Sequence, residues 1–194
     1  MVRRPLRSTF HQIRVQAFAA IGIVAAIAVA WWMKVEDARA PHAVPQIALG
    51  EPVKVGRAVF TPQSLVIRNA PPSSANGSGR KLVLAGQLEN ATGESQVAMF
   101  GFPEELPALS SGGTDFPAPT VYLDRDNAPL KQLQPRIREA VSIVWDVPES
   151  WREQEVTVAF STQQFKLRDN LYAKASWLLF HPSGTLRARP EVEP

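Results

Sequence analysis

Beyond residue 50 the apolar positions recur every second residue. "VKVGRAVF" places Val53, Val55 and Val59 on one face, and "SLVIRN" contributes Leu65 and Ile67. "KLVLAGQLEN" sets Leu82, Leu84 and Leu88 against Val83 and Ala85. "SQVAMFGF" follows as a further strand run, and "TVYLD" is short. "REAVSIVWDV" aligns Val141, Ile143 and Trp145, "EVTVAFS" aligns Val156, Val158 and Phe160, and "QFKL" adds Phe165 and Leu167. A period of two marks strands with one face turned to a core. No stretch of residues 51–170 sustains a period near 3.6. The segment "NLYAKASWLLF" at 170–180 fits a short helix or a strand, and the alternation of Trp177, Leu179 and His181 favours the strand. Punctuation separates the runs: Pro/Gly/Ser-rich loops at 69–80 and 107–119, a short connection at 146–154, and "NATGES" at 90–95, which reads as a hairpin closure. About seven or eight short strands with such turns predict an all-β sandwich.

The N-terminal region follows another rule. Val15 to Met33 is a run of 19 residues without a charge. As a helix it reaches roughly 28 Å, about the thickness of a bilayer's hydrocarbon core. Arg3, Arg4, Arg7 and Arg14 precede it, Trp31 and Trp32 close it, and Lys34 follows. Arginines on one side and indoles on the other predict a single transmembrane helix with its N-terminus in the cytoplasm. Arg14, Trp31, Trp32 and Lys34 are its expected interface residues. The rival reading is a cleaved signal peptide, cut after Ala38-Arg39-Ala40. Its apolar core is too long for that, the cut lies seven residues past Met33, and Pro41 would follow it. The predicted organisation is a basic tail (1–14), an anchor (15–33), a linker (34–50), a β-domain (51–181) and a flexible C-terminal tail (182–194).

Charge changes the picture only at the N-terminus. The net charge of +3 includes four arginines and no acid in residues 1–14, so the remainder is close to neutral. Without a basic stripe on the main domain, nucleic acid is not an expected partner. The absence of cysteine removes thiolate metal sites and cysteine nucleophiles.

The phrases "ALGEPVKVGRAVFTPQSLVIRN", "KLVLAGQLENATGES" and "LQPRIREAVSIVWDVPE" resemble the membrane-tethered extracytoplasmic domains of the DUF4352 (telokin-like) type, over about residues 48–167. The resemblance implies an immunoglobulin-like β-sandwich outside the cytoplasmic membrane, periplasmic or at the cell surface. Trp145 stands where those domains usually carry phenylalanine, and Arg136 where they carry glycine.

Motifs of chemistry are sparse. His11, His42 and His181 are scattered, "DRDN" at 124–127 fails the calcium-loop pattern at Ala128 and Pro129, and there is no Gly-x-Ser-x-Gly. No enzyme and no cofactor is expected. Sequons occur at Asn76-Gly77-Ser78 and Asn90-Ala91-Thr92. Trp151, in the polar turn "PESWREQ", is either a partner contact or a lid over one end of the sandwich. Phe100 and Phe102, in "MFGFPEELPAL", are the second candidate contact. The expected role is binding, as an accessory subunit beside a membrane-protein partner, with lipid contacted through residues 15–33. The alternative is a tethered module for a glycan or lipid, which requires a groove with convergent polar groups.

Overall fold

The computed structural model describes residues 22–36, 43–69, 79–148, 150–151, 154–168 and 173–192. The chain forms two compact units, Met1–Ala43 and Val44–Pro194. In the first, residues 22–36 are helical and expose Trp31, Trp32 and Lys34. Among the described residues no helix is long and apolar enough to cross a membrane. Residues 1–21 of the expected tail and anchor, Arg14 among them, lie outside the described residues, as do the Ala38–Ala40 site and the sequon at 76–78.

The second unit is a β-sandwich with twelve strands among the described residues. They are β1 (Gln46–Ile47), β2 (Val53–Val55), β3 (Ala58–Asn69), β4 (Arg80–Asn90), β5 (Ala108–Ser111), β6 (Thr114–Asp115), β7 (Thr120–Leu123), β8 (Ala128–Pro129), β9 (Arg138–Val147), β10 (Val156–Lys166), β11 (Ser176–Ala188) and β12 (Glu191–Val192). One sheet has the order β1-β11-β10-β5-β6; the other runs β12-β3-β4-β9-β7-β8, with β2 also paired to β3. The long strands follow the period-two expectation. Leu82, Leu84 and Leu88 of β4, Val141, Ile143 and Trp145 of β9, and Val156, Val158 and Phe160 of β10 are buried together. Phe60 of β3 meets Phe160 across the two sheets, ring centroids 6.1 Å apart. On the solvent face of the larger sheet opposite charges sit across strands, Arg138 with Glu89 and Lys81 with Asp146, and Arg125 in the turn after β7 pairs with Glu139 of β9.

Several expectations are corrected. The face shared by Val53, Val55 and Val59 breaks at Gly56-Arg57, where a turn shifts the parity, so that Ala58 and Phe60 rather than Val59 point inward. "NATGES" closes no hairpin: β4 ends at Asn90 and the next strand, β5, belongs to the other sheet. "SQVAMFGF" is turn and loop, tied down by the isolated bridge between Gln96 and Leu133. The segment 107–119 carries the short β5–β6 pair. The linker does not extend to residue 50, because Gln46–Ile47 pairs in parallel with Thr185–Leu186. Residues 182–192 of the expected flexible tail (182–194) are instead built into the sheets. β11 runs on to Ala188 with Leu186 in the core, and Glu191–Val192 pairs with Val66–Ile67. Arg187 and Arg189 point outward between buried Leu186 and Pro190, so a two-residue period is present under a charged composition.

Candidate functional site

The turn that breaks the parity of β2–β3 also builds the site. Gly56 accepts the backbone N–H of Gln163 at 3.0 Å and donates its own to Ser161 at 2.8 Å, and Thr162 Oγ1 donates to the Gly56 carbonyl at 3.1 Å. Its φ is +50°, and a Cβ there would lie 2.4 Å from the Phe100 carbonyl carbon and 2.5 Å from Met99 O. Only glycine fits so close to another backbone in this conformation. The next residue, Arg57, donates its backbone N–H to Met99 O at 2.9 Å and turns its side chain into an open cleft of about 690 Å³.

Arg57 is the polar centre of that cleft. Its Nε donates to Gln163 Oε1 at 3.1 Å and its Nη1 to Gln96 Oε1 at 3.2 Å. Its guanidinium carbon lies 5.2 Å from the centroid of the Trp177 ring, within cation–π range. Trp177 packs against Phe165 with centroids 5.1 Å apart, the two facing each other across the β10–β11 ladder. Gln163 is buried, and its amide is oriented by two bonds, since Nε2 donates to Phe102 O at 3.1 Å. Burial pushes the Arg57 pKa below its ordinary value, through desolvation; an arginine still stays charged near neutrality. Both of its hydrogen-bond partners are neutral amides, whereas Arg125 and Arg138 have carboxylates.

The walls of the cleft come from the outer part of the β10–β11 ribbon, where, beyond the Gly56–Thr162 bridge, neither strand has another ladder partner among the described residues. Phe180 enters the wall under Gly101, where a Cβ would lie 2.4 Å from that ring and where φ is +95°. A second hollow of about 500 Å³ shares Ala91, Phe165 and Trp177 and adds Gln96 and Glu94. Nearby apolar side chains of the ribbon stand in solvent: Leu179 is 88% exposed and Leu167 83%.

The sequence candidates divide. Phe102 is 77% exposed and its carbonyl holds Gln163, so it borders the cleft. Phe100 is 2% exposed and belongs to the core, which corrects its place as a contact residue; the backbone around it is the surface against which Gly56 packs. Trp151 is half-buried, packed on the core edge-on to Phe116 at 6.0 Å, and its carbonyl accepts from Arg80. It lines neither hollow. Arg57, Gln163 and Trp177 were not singled out from sequence. Phe165 and Trp177 alternate like core residues, and nothing local shows that their strands outrun the sheet. The run "DRDN" forms a turn in which Asp124 accepts from Ser142 and Arg125 pairs with Asp126 and Glu139. No group of three His, Asp or Glu side chains able to hold a metal occurs among the described residues.

Fold and site together define a two-sheet β-sandwich with an open cleft built from arginine, amides and aromatic rings. No protein-family model matches the chain, and no curated protein sequence matches it. An uncharacterized β-sandwich protein from Clostridium difficile 630 is similar in structure, with 9% identity and a TM-score of 0.48, over 77% of this chain and 98% of that one.

Proposed function

We propose that the chain is a binding module of the cell envelope, tethered by residues 15–33 and facing away from the cytoplasm, which takes a small ligand in the Arg57 cleft. The observation that carries this reading is the convergence of Arg57, Gln163 and Trp177 in one open hollow, with Gln96 of the adjoining hollow also holding the guanidinium. A concave site of a few hundred Å³, mostly apolar with a few placed polar groups, is what a ligand site requires. The tether rests on the charge-free run from Val15 to Met33 behind four arginines. The immunoglobulin-like and DUF4352-type assignments belong to the same proposal, supported by two stacked sheets and by the quoted phrases.

A second reading keeps the site but makes the occupant a membrane-protein partner, with the chain as its accessory subunit. The exposure of Leu179, Leu167 and Phe102 favours it. The two readings separate when full-length protein in mild detergent receives the dialysable and the non-dialysable fractions of an envelope extract. The indole N–H signal of Trp177 reports the cleft. The ligand reading expects the dialysable fraction to shift that signal; a response to the macromolecular fraction alone favours the partner. Silence with both contradicts the assignment of the cleft.

A further inference from the structure

Arg57 has five N–H donors. Nε and one Nη1 hydrogen are taken by the Gln163 and Gln96 carbonyl oxygens, and among the described residues nothing accepts from Nη2. The two glutamines fix the plane of the guanidinium without neutralising it. Lys54 and His181 also line the cleft, and among the described residues no Asp or Glu does. Glu94 belongs to the neighbouring hollow, and Glu105 accepts a hydrogen bond from Ser161. The cleft is therefore electropositive around an oriented cation that burial has partly stripped of water. Removing a cation from water without a counter-charge is costly, and a bidentate carboxylate relieves that cost with good geometry. Beside the cation stand the faces and edges of Trp177, Phe165 and Phe180, which suit a flat apolar body rather than a second charge.

We propose that the cleft binds an organic acid in which a carboxylate is joined to a ring with an apolar face: Arg57 takes the carboxylate and the aromatic wall takes the ring. The inference rests on the ligand reading above and names its chemistry. An aromatic acid and a sugar acid both satisfy it. The volume, about 690 Å³, lies within the range of sites for small organic ligands.

The test uses full-length protein in mild detergent, with sodium indole-3-acetate, its neutral counterpart indole-3-acetamide, and digalacturonate as probes. The Trp177 indole signal, assigned through Trp177→Phe, is followed during each titration. The acid is expected to bind roughly tenfold more tightly than the amide, the share expected of a charge-assisted pair. Arg57→Gln removes that preference while the amide still binds, and Arg57→Lys, which keeps the charge without the fork, retains part of it. A thermal melt of each variant checks folding, and the acid–amide comparison in the unmutated protein stands without them. Tighter binding of indole-3-acetate assigns an aromatic acid, and tighter binding of digalacturonate a sugar acid; either supports the proposal. Equal binding of acid and amide at Trp177 overturns the carboxylate inference and leaves the cleft a ligand site. No shift with any probe overturns the proposal and counts against the ligand reading itself.

Discussion

The side chain of Asn90 is buried at the end of β4 and uses its whole amide. Nδ2 donates to Glu94 O at 2.8 Å and Leu133 O at 3.0 Å, while Oδ1 accepts from the Thr92 N–H and hydroxyl. This one residue ties the loop after β4 to the segment before β9. Asn90→Ala leaves buried groups unpaired and is expected to cost about 2–4 kcal/mol, read as a lower urea midpoint. The same geometry predicts that Asn90 carries no glycan despite its sequon, which an intact-mass measurement from a glycosylating host checks. Arg136, in the turn before β9, has φ +56°, a left-handed conformation at the position where the resembled domains carry glycine. Arg136→Gly relieves the strain of a side chain there and should raise stability by about 0.5–1 kcal/mol, since the relief exceeds glycine's entropic cost. The sequence signals both residues only in part. "ENATGES" marks a turn, yet gives no sign that its asparagine turns inward.

At the scale of elements, alternation locates the long strands because each has one face in the core. β4, β9 and the inner part of β10 are therefore legible. β1, β6, β8 and β12 are two residues each, too short for a period to show; β6 and β8 pair with the strand just before them, while β1 and β12 depend on partners far along the chain. The cleft is hidden for a related reason. Alternation reports which residues share a face, but not that residues 164–166 of β10 and 176–180 of β11 have no other ladder partner among the described residues. The β2–β3 turn fixes the register of Arg57 against Gln163, so it is the element most sensitive to substitution. Gly56→Ala places a methyl group within 2.5 Å of Met99 O and Phe100 Cα at a positive φ. It should destabilise the sandwich by roughly 3 kcal/mol in denaturant unfolding. Leu179→Ser, on the exposed ribbon, should change stability by no more than about 0.5 kcal/mol. The contrast separates a residue whose backbone builds the cleft from one at its exposed rim.

For the whole molecule, the proposed tether is legible in the sequence and the cleft in the structure. Tethering confines a domain near a surface and raises its effective concentration for ligands or partners found there. That advantage exists only if the sandwich faces away from the cytoplasm while residues 1–14 stay inside, as four arginines before an apolar run predict. The direct measurement is protease accessibility in spheroplasts expressing the full chain with an N-terminal epitope. The account predicts that external protease removes the sandwich and leaves a short epitope-bearing fragment that stays with the membrane after alkaline carbonate washing. A sandwich that resists protease until the cells are lysed, or an epitope lost from a freely soluble mature protein, would contradict it.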